Sequence, residues 1–544
     1  MNADAFTPKL ITALREGYGW SKLRADAFAG VTVAIVALPL AMALGIASGA
    51  GPSEGLITAV VAGFLISALG GSRVQIGGPT GAFVVIVAGV IAEHGFAGLL
   101  LATFMAGLML VVAGYAGIGR LMRFVPMPVV TGFTAGIAVI IASSQIADFL
   151  GLHAGAVPVD FAEKWSAYWH AAGTVNQAAV GLGAATLALI IFVRRMVPRW
   201  PAYLIAIVVA SAVAAAFALP VETVGQRFPE MPTGLPQPAL PHFSLALARE
   251  VLPSAFVIAF LAGIEALLSA VVADGMTGRR HRSGQELVGM GVANMASALF
   301  GGLPATGAIA RTATNIRAGA ATPMAGIFHA LFLLLFMVAA GGWLAYVPMA
   351  ALAAVLLMVA WGMSEADRFV AVVRTDRGEG SLLVLTFLLT IFVDLTVAIG
   401  VGVTLAALLF MRRMSETAGL VAIDVAEEPQ LREALPEGVE VFRFTGPLFF
   451  GVASEMLEAL RRMGQRPRAI IVRMERVPYV DTTGANALAT FVRQARNNGT
   501  DVWLCGLQRE PREFLSRTEP PFAGARHVAK WATALKTLRK VSGK

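Results

Sequence analysis

Twelve apolar stretches, each of the roughly 17 to 25 residues that cross a bilayer as a helix, occupy most of the chain up to Arg413. They begin near Asp26, Gly55, Phe96, Pro128, Ala178, Trp200, Leu252, Gln285, Pro323, Pro348, Leu382 and Ala398. Hydrocarbon offers backbone amides no water, so segments like these must be helices that satisfy their own N–H and C=O groups. The chain is therefore read as an α-helical polytopic membrane protein. A mean hydropathy of +0.72 with only 14% charged residues excludes disorder, and a single Cys505 excludes a disulfide scaffold. The 57 glycines suit helices packed closely in a membrane. Residues 1–24 are polar and carry Lys9, Arg15, Lys22 and Arg24 without a short apolar core, so no cleavable signal is expected.

Two further segments are too short and too broken to be ordinary spans: Gln75–Ile91, which opens G-G-P-T-G-A-F, and Gly302–Ile316. Counting both gives fourteen. An even number with the N-terminus inside places every even connection in the cytoplasm, where Lys and Arg should accumulate. The N-terminus, the even connections and the exit from the last segment hold 19 basic residues, among them Arg73, Arg120, Arg123, Arg199, Arg279, Arg280 and Arg282, against Lys164, Arg227 and Arg249 in the odd ones. Both termini are thus expected in the cytoplasm and the protein in the cell (inner) membrane. Tyr18, Trp20, Trp200, Tyr203, Trp343 and Tyr346 stand at segment ends, as interfacial aromatics do. This placement of the basic residues, more than their number, argues against nucleic acid as a partner.

The broken segments repeat one another. Ser67-Ala68-Leu69 leads to Pro79-Thr80-Gly81-Ala82, and Ser297-Ala298-Leu299 leads to Ala305-Thr306-Gly307-Ala308. Seven segments separate equivalent positions, so the halves, about 25–220 and 250–413, are oppositely oriented: 7+7 inverted repeats with a broken helix in each. Freed backbone groups in hydrocarbon are tolerated where they line a site or cavity. Each half-helix presents its first amides and positive dipole end toward mid-depth, and two such ends make an anion site. Thr80 and Thr306 suit the caps, Gly81, Ala82, Gly307 and Ala308 admit a compact anion, and Arg311 adds a fixed charge one turn in. Glu265, midway along the eighth segment, is expected to hold a coupling cation, with Ser269 one turn on as a second oxygen and backbone near Gly307 as a third. That ion is H+ or Na+; no metal is assigned beyond Na+ at Glu265, and no cofactor is called for. A structural pair between Glu265 and Arg311 is the plainer alternative. Asp394 and Gln145 read as helix-end hydrogen-bonding residues, and His329 as a satisfied packing residue. No nucleophile elbow or phosphate loop marks an enzyme.

Basic residues thicken after Arg413: 19 of the 42 Lys and Arg lie in the last 131 residues. Residues 414–430 read as a linker and 431–544 as a small α/β domain. Strands are expected at 439–445, 469–474 and 501–505, and helices at 453–463, 484–498 and 509–516. Asp481-Thr482-Thr483-Gly484 lies between strand and helix, where an N-cap competes with a regulatory phosphorylation or nucleotide site. Cys505 is expected to be buried on a strand.

Taken together, A-G-V-T-V-A-I-V-A-L-P-L-A-M-A in the first segment, G-P-T-G-A, G-I-E-A-L-L-S-A, Q-E-L-V-G-M-G-V-A-N, A-T-G-A-I-A-R-T-A-T-N-I-R-A-G and V-D-T-T-G-A resemble the SulP (sulfate permease) family of anion transporters with a C-terminal STAS domain. The resemblance implies the uracil-transporter type of fold, in which a core of segments 1–4 and 8–11 moves against a gate of segments 5–7 and 12–14. It places a substrate anion between segments 3 and 10, at Thr80, Gly81, Ala82, Phe83, Gly307, Ala308, Ile309, Ala310 and Arg311. Homodimers and a cytoplasmic regulator on the STAS domain are implied partners, beside membrane lipid. Pro39 is followed here by Leu40 where many members carry a polar residue, and Ala310 stands where Ser is common. Sodium-coupled members tend to carry Asp at the position of Glu265, which inclines this chain toward protons. The function expected is cation-coupled symport of bicarbonate, sulfate or a dicarboxylate; an exchanger, an anion channel, and a receptor signalling through STAS are the alternatives.

Overall fold

A computed structural model describes residues 6–119, 126–155, 157–158, 160–197, 200–229, 234–393, 395–417, 419–422, 435–449 and 467–541. Asp394, Arg120, Arg123, Arg199 and the expected helix 453–463 lie outside the described residues. The chain divides into two compact units, 1–403 and 404–544.

All fourteen segments of the sequence reading are helical. They run Trp20–Ala47, Pro52–Leu69, Gly81 to Gly95, Gly95 to Tyr115, Met127–Ser144, Gln177–Met196, Ala202–Ala216, Leu252–Thr277, Ser283–Leu299, Ile309–Arg317, Met324–Leu344, Met349–Met363, Arg377–Phe392 and Leu395–Thr417. Segments 3 and 4 are separated by Gly95, whose φ of 69° breaks the helical path. Segment 13 starts five residues before its expected Leu382, preceded by a surface helix, Ala366–Thr375, that the hydropathy reading passed over. Phe369 of that helix meets Phe387 of segment 13 edge-on, with ring centroids 5.3 Å apart.

Segments 1, 2, 3, 4, 8, 9, 10 and 11 pack mainly among themselves, and 5, 6, 7, 12 and 13 among themselves. Small residues set the closest approaches. Gly107 of segment 4 faces Gly291 of segment 9, and a β-carbon on Gly107 would lie 2.6 Å from the Gly291 carbonyl oxygen. Apolar side chains such as Leu108, Val112, Phe192, Val208, Phe256, Leu335 and Val338 point outward, as a hydrocarbon-facing surface requires. Trp20, Trp200, Trp343 and Tyr346 are exposed at segment ends, whereas Tyr18 and Tyr203 pack partly inward.

Buried polar side chains fasten the non-helical backbone. Asn294 of segment 9 donates from Nδ2 to the Ala305 carbonyl (2.9 Å) and accepts at Oδ1 from the Ala305 amide (2.8 Å). Ser297 donates to the Leu303 carbonyl (2.7 Å), and the Leu303 amide donates to Thr58 Oγ1 (2.6 Å). At the start of segment 11 the Ala321 and Thr322 amides and the Thr322 hydroxyl donate to the fully buried Asp26. Replacing Asn294 with Ala strips both Ala305 backbone groups of partners in a buried place, a loss of about 2–4 kcal/mol. A clearly lower thermal midpoint of the purified protein is the result expected, and an unchanged midpoint would show that the clamp is dispensable.

The second unit holds a five-stranded sheet in the order β3-β4-β5-β6-β7: β3 (Gly419–Ala422), β4 (Val439–Thr445), β5 (Ala469–Arg476), β6 (Asp501–Cys505) and β7 (Arg526–Val528). β3 runs antiparallel to β4 and the remaining neighbours are parallel. Helices cover both faces, which is why β5 and β6 are nearly continuous runs of buried residues. Ile470, Val472 and Leu504 pack with Leu488 and Phe491 of helix Thr482–Asn497, and Ile471, Trp503 and Cys505 with Ala534, Leu535 and Leu538 of helix Trp531–Val541. Three elements depart from the sequence reading. Gly419–Ala422, read as linker, is a strand held by β4, and β7 and the last helix went unrecognised because their runs are short or strongly charged. Cys505 is fully buried, and that burial pushes its thiol up to about 12, which leaves it unreactive at neutral pH.

Candidate functional site

The two breaks meet. Gly77–Gly78 (β1) and Thr306–Gly307 (β2) form a two-residue antiparallel ladder, pairing Gly77 with Gly307 and Gly78 with Thr306. Ala308 N–H donates to the Ile76 carbonyl (2.8 Å), and Thr312 Oγ1 accepts from the Ile76 amide (3.0 Å). This satisfies the extended backbone within the membrane and sets the two half-helices, Gly81 onward and Ile309–Arg317, starting from a common strip. Among the described residues no side chain caps either start.

The threonines are a correction to the sequence reading. Neither caps its half-helix; both turn to segment 8, which passes alongside. Thr80 donates to Glu265 Oε2 (3.1 Å), and Thr306 donates to the Ala262 carbonyl (2.8 Å). A carboxylate and a carbonyl one turn apart on segment 8 offer these hydroxyls acceptors, whereas a cap would use them only as acceptors. The threonine hydroxyls thus leave the half-helix starts without side-chain caps, and Glu265 is tied to the third segment's break.

Arg311, buried in the first turn of its half-helix, donates from Nη2 to the Pro79 carbonyl (3.0 Å) and so bridges the two breaks. Its Nε and Nη1 have no hydrogen-bond partner among the described residues. The guanidinium lies over Gly78, where a β-carbon would sit 2.6 Å from Nη1 and where φ is +153°. Only glycine allows that approach. Among the described residues no ion pair joins Arg311 to Glu265, so the structural-pair alternative is not what the geometry shows.

The other site residues fall around this strip. Gly81, Ala82, Phe83, Gly307 and Ala308 are buried, Thr80 and Glu265 half-buried, and Ile309 and Ala310 exposed. Ser269 is fully buried, 3.2 Å from Thr312 Oγ1, one turn from Glu265 on the same helix. Gly307 faces Gln75, whose amide a β-carbon at position 307 would run into, with Ala266 behind. On the other side Met363 of segment 12 and Ile141 of segment 5 close on Gly81. Gln145 donates to Ser144 at the end of segment 5, a local helix-end role as read.

Sequence reasoning passed over Gln75, Thr312 and Asn315. Gln75 is 4% exposed and both its amide atoms lack a partner among the described residues, while Asn315 donates to the Val74 carbonyl (2.8 Å). Each is a polar residue within or just before a short broken segment, which was signal enough to single them out. His329 is a further correction: it is fully buried as expected, but neither ring nitrogen has a hydrogen-bond partner among the described residues. Its backbone amide lies against segment 1, where a β-carbon on Gly30 would come within 2.9 Å of it.

Residues 23–386 match the sulfate permease family, and residues 433–520 match the STAS domain. The chain belongs to the sulfate permease family. Members of this family are anion transporters, and nothing of an enzyme attaches to it. The chain is 40% identical over 506 residues to the putative sulfate transporter YvdB of Bacillus subtilis, covering 92% of this chain and 95% of that one. It is 31% identical over 519 residues to the bicarbonate transporter BicA of a Picosynechococcus species, covering 91% and 90%. In fold it is similar to murine Solute Carrier 26 family member A9 in the inward-facing state, with a TM-score of 0.87 over 99% of this chain and 95% of that one at 17% identity. The sulfate permease fold thus accounts for both units: a multi-pass helical membrane domain and a STAS domain with one small sheet.

Proposed function

We propose that this protein is a secondary active transporter that carries a small oxyanion (bicarbonate, sulfate or a short dicarboxylate) together with a cation, by alternating access. The observation that carries the reading is the meeting of three things at one strip: two uncapped half-helix starts, the unspent Nε and Nη1 of Arg311, and a carboxylate, Glu265, hydrogen-bonded to Thr80 of the opposite break. The helix starts and Arg311 favour an anion, and Glu265 with Ser269 favours H+ or Na+. A cation and an anion held side by side offset each other's charge, so the pair crosses at lower cost than either alone. YvdB and BicA carry sulfate and bicarbonate in their names, which supports both as substrates to test.

Positive charge on the N-terminus and even connections supports cytoplasmic termini in the cell membrane. The family likeness supports a homodimer. In the STAS domain Asp481 caps helix Thr482–Asn497 through Oδ1 to the Gly484 amide (2.6 Å), while Thr482 and Thr483 stand exposed beside it as the face for a regulator. Asp481→Ala should cost about 1 kcal/mol, which speeds hydrogen exchange of amides 484–492 roughly fivefold. Unaltered exchange would mean that the cap contributes nothing.

The test of transport is uptake of labelled bicarbonate, sulfate and fumarate into proteoliposomes under an inward Na+ gradient and, separately, an inward H+ gradient. Saturable accumulation of one anion under one gradient is expected. Large, unsaturable fluxes indifferent to either gradient would point to a channel, and binding without flux to a receptor.

A further inference from the structure

Away from the transport site, the membrane unit has a cleft of about 390 Å³ lined by Lys9, Arg73, Arg279, Arg280 and Glu16. It is a shallow, open hollow whose lining is charged throughout. It lies where the N-terminal helix Lys9–Arg15, the connection after segment 2 and the connection between segments 8 and 9 converge. Basic residues in such connections ordinarily fan out into water. Here the backbone holds them together: Lys9 N–H donates to the Gly70 carbonyl (3.0 Å), Arg282 N–H to the Gly71 carbonyl (3.0 Å), and Arg282 Nη1 to the Thr7 carbonyl and Thr12 hydroxyl (2.7 and 2.8 Å). Arg279 is positioned by a bond to the Ala321 carbonyl (3.0 Å).

The nearby carboxylates offset this charge only in part. Glu16 is paired with Arg73, while Asp274, held by the His281 ring (2.7 Å), and Glu286, which accepts from the Gly71 amide (2.7 Å), are engaged away from the lining cations. Four cations against one carboxylate leave three positive charges on the wall. Their crowding is felt by Lys9, whose ammonium is held below its usual value by burial and then by Arg282 and Arg73.

We infer that this cleft binds a phosphate-bearing anion, with Lys9, Arg279 and Arg280 as its contacts and Arg73 held in place behind them by Glu16. Two or more phosphoryl oxygens match several cations converging on a concave wall better than a single small anion does. The ligand bridges the N-terminal helix and both connections, and so ties together the ends of segments 2, 8 and 9. Two sources share this chemistry, an anionic phospholipid headgroup and a soluble phosphate ester.

The experiment uses the full-length protein in nanodiscs. Pyrophosphate is titrated in phosphatidylcholine discs, and separately phosphatidylglycerol replaces phosphatidylcholine in steps, with thermal midpoint as readout. Saturable stabilisation by either probe is expected, and which one produces it names the source. In Arg279→Gln/Arg280→Gln the apparent affinity should fall at least about tenfold, the loss of one charge-assisted bond or more. Arg280→Gln alone, which alters an exposed side chain, should weaken binding in the same direction without moving the probe-free midpoint. Arg374→Gln/Arg377→Gln, which removes two basic residues from another connection, should leave affinity unchanged. Failure of both probes to stabilise, or an equal effect of the two double variants, overturns the site.

Discussion

Glu265→Gln should abolish accumulation of the anion under any cation gradient while leaving the protein folded and able to exchange anion for anion. The substitution is nearly isosteric, and the new amide oxygen can still accept from Thr80, so the tie between segment 8 and the third-segment break survives. What is lost is the negative charge that a proton or a sodium ion would neutralise. With no cation bound, the Arg311 side of the strip still attracts anion, but nothing makes its crossing depend on the gradient. The initial rate of gradient-driven uptake should fall at least about a hundredfold, about 2.7 kcal/mol in barrier. Counterflow of labelled against unlabelled anion is the companion measurement, because a misfolded protein would lose both activities. Undiminished concentrative uptake in Glu265→Gln would remove Glu265 from the coupling mechanism.

Arg311→Gln should raise the KM for the anion by about one to two orders of magnitude, the loss of one or two charge-assisted hydrogen bonds. The guanidinium does two jobs, anchoring the Pro79 carbonyl through Nη2 and presenting Nε and Nη1 within the strip. Arg311→Lys separates them, since an ammonium keeps the charge but lacks the rigid fork that spans both directions at once. It should fold and bind anion with an intermediate KM. If Arg311→Lys matches the native protein and Arg311→Gln loses only thermal stability, the residue is a structural bridge between the breaks and not an anion contact.

Much of the membrane unit was legible because hydrocarbon leaves the backbone so few options. Length and hydropathy mark Trp20–Ala47 or Leu252–Thr277, and the repeated T-G-A signature marks the two places where helices stop. That these places would meet follows from inverted repetition, and the pairing of Gly77 with Gly307 is its structural expression. What the sequence could not supply is which acceptor each hydroxyl finds. Thr80 and Thr306 had every local reason to cap, yet segment 8, some 185 residues from Thr80, presents the acceptor that wins. The same holds for Asp26, whose partners at Ala321 and Thr322 lie 295 and 296 residues away. The helix Ala366–Thr375 was missed for a different reason. It is amphipathic and short, so a search for long apolar runs ignores it, although the spacing of Phe369, Val370 and Val373 carries a helical period.

Coupling is reciprocal, and its most direct test runs the transporter backwards. Proteoliposomes are given an inward gradient of the transported anion alone, with equal pH and equal sodium on both sides, and internal pH and internal sodium are followed with indicator dyes. Uphill movement of one of these cations, driven by the anion, saturating with anion concentration and absent in Glu265→Gln, is the outcome that cation-coupled symport requires. Anion entry at full rate with neither cation moving would show that the two fluxes are independent and that Glu265 and Arg311 do not share one transport cycle.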